Sequence, residues 1–126
     1  MNDLEYPVAH LEDSDFNSEG NLINPEILKY PIVVILVQSS WCGHCKMAKP
    51  AYQEFANKYK NNNKMLVATI QADGERQSEK KLGKRLDKII PGFRGFPEYA
   101  LYKNGKFVSS NIKGRSIRDL EEFVNL

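Results

Sequence analysis

Six consecutive apolar residues, Ile32 to Val37, limit what this chain can become, and all but Leu36 are β-branched. β-Branched side chains favour extended backbone. A run with no polar alternation fits a strand covered on both faces, as at the centre of an α/β sheet. The run is far too short to cross a bilayer. The residues after it matter as much. Beyond Trp41-Cys42-Gly43-His44-Cys45-Lys46, apolar residues recur at four-residue steps (Met47, Ala51, Phe55, Tyr59), which predicts a helix from Gly43 to Lys60. Pro50 should kink that helix, and Asn61-Asn62-Asn63 should end it. Met65 to Ala72 reads as the next strand. Strand, helix and strand in this order make a βαβ unit with parallel strands and a right-handed crossover.

The flanks fill in the rest. Val8 to Leu11 is a short candidate strand, and the polar stretch from Glu12 to Asn24, with Gly20, reads as loop or broken helix. Asn24-Pro25 predicts a short helix, with Asn as cap and Pro at its first position. Glu79 to Ile90 reads as one helix, basic at Lys80, Lys84 and Lys88. Tyr99–Tyr102 and Phe107–Ser110 flank Asn104-Gly105, a strong hairpin signal. A last helix is expected from the Ser116 cap, with Asp119 three residues on, to Asn125. A chain of 126 residues, 41% apolar, suits a single domain with a real core.

The cysteines point to chemistry. There are two, spaced three apart, so a bond between them would close almost no loop and add little through chain entropy. A secreted scaffold would spread several along the chain. A cysteine at a helix N-terminus faces unpaired N–H groups and the positive end of the helix dipole, both of which favour thiolate. Cys42 holds that position and is the expected nucleophile. Cys45 comes one turn later on the same face, within reach of a disulfide, and is the expected resolving thiol. His44 between them can support the thiolate and so the reduced state. Trp41 offers a flat apolar wall for a partner chain. Half of a zinc site is a weaker reading, because tetrahedral zinc wants four ligands and the other histidine, His10, is alone. Two inert core cysteines are also a weaker reading, given the loop position before a helix.

Together these residues resemble the thioredoxin superfamily, and Trp-Cys-Gly-His-Cys-Lys resembles the catalytic domains of protein disulfide isomerases. Pro50 matches the family's kinking proline. Arg94-Gly95-Phe96-Pro97 matches the segment with its cis-proline, which presents backbone to an extended substrate. Lys103-Asn104-Gly105 matches the hairpin, and Gly114 the glycine before the last helix. The resemblance implies a thioredoxin fold: a central mixed β-sheet flanked by helices, order 1-3-2-4-5, fourth strand antiparallel. Residues 1–7 would form an acidic N-terminal arm and 8–126 the domain. It implies dithiol–disulfide exchange, of the protein disulfide oxidoreductase or isomerase type, through Cys42 and Cys45. Trp41, Phe96 and Pro97 would dock the substrate. The chain departs from the family at several points. Leu36 stands where a buried acid is usual, six residues before the first cysteine, and Thr69 where its lysine partner would be. Glu98 replaces the threonine after the cis-proline. The stretch from Asp73 to Pro97 is longer than in a minimal thioredoxin. Glu98 is the candidate substitute proton acceptor, since it begins the strand after Pro97.

The implied partners are protein thiols and disulfides and a thiol/disulfide electron partner. No metal, nucleotide or flavin is implied, and no phosphate-binding glycine loop is present. The basic stretch 80–88 carries Asp87 and no interleaved aromatics, which argues against nucleic acid. With no basic-then-apolar start and no retention signal at the C-terminus, a soluble intracellular protein without a membrane partner is expected. Residues 1–28 hold seven acids and no Lys or Arg, whereas the remainder holds eighteen basic residues against nine acids. That asymmetry predicts an acidic arm docked on a basic body, or steering of partners. The rival to catalysis is a thioredoxin-like binding module with slow or vestigial chemistry, which Leu36 favours.

Overall fold

A computed structural model of the chain describes residues 3–125. Within them lies a five-stranded sheet in the order β1-β3-β2-β4-β5. Its strands are β1 (Ala9–His10), β2 (Ile32–Gln38), β3 (Met65–Gln71), β4 (Glu98–Lys103) and β5 (Lys106–Ser109). β2 runs parallel to β3 and antiparallel to β4. It therefore sits at the centre, and Val33 to Val37 are almost completely buried, as a strand apolar on both faces requires. Gln38 extends it by one buried polar residue.

Two layers cover the sheet. One holds α2 (Gly43–Lys58) and α5 (Ile117–Val124). Their Tyr52, Phe55, Leu120 and Val124 pack with Val34, Leu36, Val67, Tyr99 and Leu101. The other holds α1 (Pro25–Leu28), α3 (Gln77–Gly83) and α4 (Leu86–Ile89). There Leu82, Leu86 and Ile89 pack with Val33, Ile35, Val37, Ala100 and Tyr102. Strand alternation thus divides β2 and β4 between two cores.

Local chemistry explains most boundaries. The Asn24 side chain caps α1 by accepting from the Glu26 amide, with Pro25 at the first helical position. Ser116 and Asp119 form a capping box at the start of α5. Asn104 and Gly105 both have positive φ, the two-residue turn that matches hairpin twist.

Three expectations need revision. The helix read over Glu79 to Ile90 is two helices, separated by Lys84 and Arg85. A β-carbon on Gly83 would stand 2.1 Å from the Ala72 carbonyl oxygen, so the chain needs glycine where α3 ends against β3. The strand read over Val8 to Leu11 has only two residues in the ladder, although the Leu11 amide still reaches the Thr69 carbonyl. The stretch from Glu12 to Asn24 is not an idle loop. It forms a 3-10 turn, Asp13–Asp15, then a bridge between Phe16 and Leu22, and it buries Leu22, Phe16 and Asp15.

The acidic segment touches the basic body as its charge predicts, and apolar contact adds to the attraction. Leu4, Val8, Leu11, Phe16 and Leu22 are all buried, each contributing on the order of 1.5–3 kcal/mol. An exposed ion pair such as Arg76–Glu12 contributes about 0–1 kcal/mol. Arg85 is the exception. Its guanidinium donates to the Asp13 carboxylate at 2.7 Å and to the carbonyls of Asn17, Asp13 and Phe16 at 2.6, 2.9 and 3.2 Å. Replacing Arg85 with Ala should therefore cost about 2 kcal/mol in urea unfolding, because three carbonyls lose a charged donor. Arg85→Lys should recover little, since an ammonium cannot span a fork of four acceptors. Equal stability of Arg85→Lys and the parent chain would refute the clip.

Candidate functional site

The site forms where β2 runs out. Ser39 is buried, and Ser40 is pinned to the end of β3: its amide and hydroxyl donate to the Asp73 carboxylate at 3.0 and 2.5 Å. Gln71 donates to the same carboxylate at 2.9 Å. Burial works against the charge of Asp73, but these hydrogen bonds outweigh it and hold the carboxyl below its ordinary range. The turn that presents Trp41 and Cys42 is thus held from the neighbouring strand.

Cys42 caps α2. Its sulfur accepts the Cys45 amide at 3.1 Å, so the first turn of the helix aims an N–H at it. Both thiols are reduced, and they differ in access to solvent: Cys42 is 5% exposed and Cys45 not at all. Burial, then the contact with Cys42, pushes the Cys45 thiol up to about 11; Ser39 and Lys49 pull weakly the other way. The buried cysteine of the pair therefore holds its proton.

Around them lies an apolar rim. Trp41 is 72% exposed and meets Phe96 edge-on at 5.5 Å, and Phe96 meets Phe93 at 5.3 Å. The Phe96–Pro97 peptide is cis, as is Tyr6–Pro7. Met47, also exposed, lies on α2 just beyond the cysteines. His44 is exposed at the second position of α2. Trp41, Cys42, Cys45 and Phe96 are thus brought to one end of the sheet, with Pro97 leading into β4.

Glu98 takes a different place. It pairs with Val37 and shares the alternation that puts Ala100 and Tyr102 on the α3–α4 face, away from α2. Glu98 lines an open pocket with residues 91, 92, 94–97, 110 and 111, and neither cysteine lines it. Burial pushes the carboxyl above its ordinary range, and Arg94 opposes that. Glu98 is accordingly not the residue of β4 that faces α2; the next residue, Tyr99, is.

Sequence reasoning does not single out Tyr99, Ser39, Gln38 or Asp73. Leu36, Thr69 and Tyr99 form one row across β3, β2 and β4, in register. Thr69 donates to the Leu36 carbonyl at 2.7 Å and accepts from Gln38 at 3.0 Å. The Tyr99-Ala100-Leu101-Tyr102 run marks a strand of period two, but, apolar throughout, it carries no signal of which residue after Pro97 points to the helix. Among the described residues no cluster of three or more His, Cys, Asp or Glu gathers, and no helix is long and apolar enough to cross a membrane.

Comparison with known proteins agrees with this geometry. The thioredoxin family model matches residues 8–126. A thioredoxin-like protein of Invertebrate iridescent virus 6 is 42% identical over 131 residues, covering 96% of this chain and 94% of that one. Protein disulfide-isomerase 1 of Caenorhabditis elegans is 29% identical over 120 residues, covering 94% of this chain and 21% of that one. Rice protein disulfide isomerase-like 1-2 is 32% identical over 105 residues, covering 82% and 18%. The chain thus spans about a fifth of the length of those isomerase relatives. Among solved structures the zinc-bound form of human ERp44 superposes with a TM-score of 0.69 at 15% identity, over 94% of this chain and 30% of that one.

The unequal thiols predict an order of modification. In the reduced protein, iodoacetamide should label Cys42 first at neutral pH. Labelling of Cys45 should climb about tenfold per pH unit and level off near pH 11, because only its thiolate reacts. Peptide mapping across pH 6–11 reads both, and earlier labelling of Cys45 at pH 7 would reverse the assignment.

Proposed function

The chain belongs to the thioredoxin family, and from that membership we propose that it exchanges disulfides with protein substrates, in the manner of a protein disulfide oxidoreductase or isomerase domain. The observation that carries the reading is the pair itself. One sulfur caps α2 and accepts the amide of the other cysteine, whose own thiol is fully buried and keeps its proton.

In the reductive direction the Cys42 thiolate attacks a substrate disulfide. A Cys42–substrate bond forms, and one substrate sulfur leaves as thiolate. Cys45 then attacks the Cys42 sulfur, the second substrate sulfur departs with the bonding pair, and the Cys42–Cys45 disulfide remains. Oxidation of a substrate dithiol is the same path in reverse. The apolar rim of Trp41, Phe96 and Phe93 suits unfolded or extended chains, whose apolar side chains lie open. His44, exposed and between the two cysteines in sequence, is the residue to tune the potential, by supporting the thiolate form. No added cofactor is required by this scheme; the thiol or disulfide partner that resets the pair is a separate molecule.

Leu36 and Thr69 favour a second reading. Both are completely buried, and neither offers a carboxylate to take the Cys45 proton. A thioredoxin-like binding module with slow chemistry would tolerate that, and one assay separates the two. Catalysed reduction of insulin by dithiothreitol should be fast with the parent chain and lost in Cys42→Ser. Cys45→Ser should instead accumulate mixed disulfides through Cys42, visible on non-reducing gels. A parent chain no faster than Cys42→Ser would leave only the binding module.

His44→Pro should make the pair more reducing, since proline neither donates a hydrogen bond nor carries charge. Isomerase and thioredoxin potentials differ by about 90 mV, and a shift of roughly half that is expected. A glutathione redox titration giving no shift, or a more oxidising variant, would contradict the tuning role.

A further inference from the structure

Residues 39–42 join β2 to α2, and the chain at the end of β3 holds them. The Ala72 amide donates to the Gln38 carbonyl at 2.8 Å. One residue on, the Asp73 carboxylate takes the Ser40 amide between its two oxygens, at 3.0 and 3.1 Å, and the Ser40 hydroxyl at 2.5 Å. Gln71 steadies the same carboxylate from β3 at 2.9 Å. Among the described residues Asp73 makes no ion pair. Its side-chain partners are neutral donors, and both oxygens are engaged by Ser40. Ser40 and Asp73 are exposed, so water would satisfy either at little cost. What the bracket supplies is therefore a fixed position for the turn, not the satisfaction of buried groups.

That position governs the next two residues. Trp41 follows Ser40, 72% exposed and edge-on to Phe96 at 5.5 Å. Cys42 comes next, with its amide on the Ser39 carbonyl at 3.4 Å and its sulfur on the Cys45 amide at 3.1 Å. We propose that Asp73 is a positioning residue for disulfide exchange: by holding Ser40, its carboxylate keeps the Cys42 sulfur on the first turn of α2 and Trp41 against Phe96. The inference rests on the exchange reading above. Asp73 passes no proton and no electron; it acts through Ser40.

Charge alone would act with the opposite sign. A carboxylate near a thiol disfavours the thiolate, so Asp73 assists Cys42 through geometry and not through its field. Removing Asp73 therefore separates the two effects. Loss of position weakens the amide–sulfur bond and the thiolate with it, whereas loss of charge strengthens the thiolate. Asp3, Lys46, Lys49, Glu75 and Glu79 line the same pocket as Ser40 and Asp73. Those five charges stay in every variant below, so the sign of a change reports on Asp73 itself.

Three measurements read the bracket. In a Cys45→Ser background Cys42 is the chain's single thiol, and ultraviolet absorbance follows its thiolate across pH. Trp41 is the single tryptophan, so acrylamide quenching of the fluorescence reports on it alone. Asp73→Ala should move the thiolate transition to higher pH by about half a unit or more, and should make Trp41 easier to quench. With both cysteines present it should slow catalysed insulin reduction about threefold or more. The melting temperature should change little, because the lost bonds are exposed. Asp73→Asn keeps a carbonyl acceptor for Ser40 without the charge, and should fall between the parent and Asp73→Ala. A transition that moves to lower pH in both variants is the field effect and overturns the inference. An unmoved transition in Asp73→Ala overturns it too, while the exchange reading stands. A parent chain no faster than Cys42→Ser in insulin reduction overturns both. Should Asp73→Ala fold poorly, Ser40→Ala still decides. It removes the hydroxyl donor and keeps the Asp73 charge, so the transition should move the same way by less, and an unmoved one overturns the inference.

Discussion

The structure depends on the burial of one strand. β2 is apolar on both faces, so it must lie between β3 and β4 and beneath two helical layers. Once it is central, its C-terminal end opens where the crossover to α2 begins. That end is where a parallel sheet leaves space for a ligand and where a helix N-terminus offers unpaired N–H groups. The reactive pair is therefore placed by the same apolar pattern that builds the core. The Ser40–Asp73 hydrogen bonds fix the last link, the turn between strand and helix, from the neighbouring strand.

At that turn, one helical step separates two thiols into different surroundings. Cys42, at the cap, borders solvent beside Trp41, and its sulfur accepts a backbone amide. Cys45, three residues on, faces the sheet and loses water altogether. Desolvation above all then makes it the reluctant acid of the pair. Attack and resolution thus fall to different sulfurs for a geometric reason, and the protonation of the second becomes the problem the interior must solve.

The opposite face shows how a polar, acidic segment becomes structural. Phe16 lies edge-on to Tyr102 at 6.0 Å, and the single proton of the Tyr102 hydroxyl is shared between the carbonyls of Gly20 and Ile89 at 2.7 and 2.6 Å. The Leu22 amide reaches the hairpin by donating to the Gly105 carbonyl at 2.8 Å. Apolar burial supplies most of the attraction, and Arg85 gives it direction by gathering three carbonyls and the Asp13 carboxylate of the segment onto one guanidinium. The N-terminal segment thereby closes the face that α3 and α4, both short, leave open.

The sequence by itself determined the βαβ core, the placement of Cys42 and Cys45 at its turn, the α1 and α5 caps and the Asn104-Gly105 hairpin. Each of these rests on local pattern: periodicity, capping side chains, or two residues of positive φ. Tertiary structure alone decided what depends on close approach between distant segments. Gly83 must be glycine because the Ala72 carbonyl lies 2.1 Å from where its β-carbon would be. The stretch from Glu12 to Asn24 reads as a loop because its apolar side chains, Phe16, Leu22 and Ile23, do not make a period; Phe16 and Leu22 bury because Tyr102 and Gly105 are there to receive them. Glu98 is the nearest acid to Pro97 in sequence, yet strand alternation turns it away from α2 and brings Tyr99 in. Period two is visible in the chain, but its phase is not, because the phase is set by which face of β4 packs on α2.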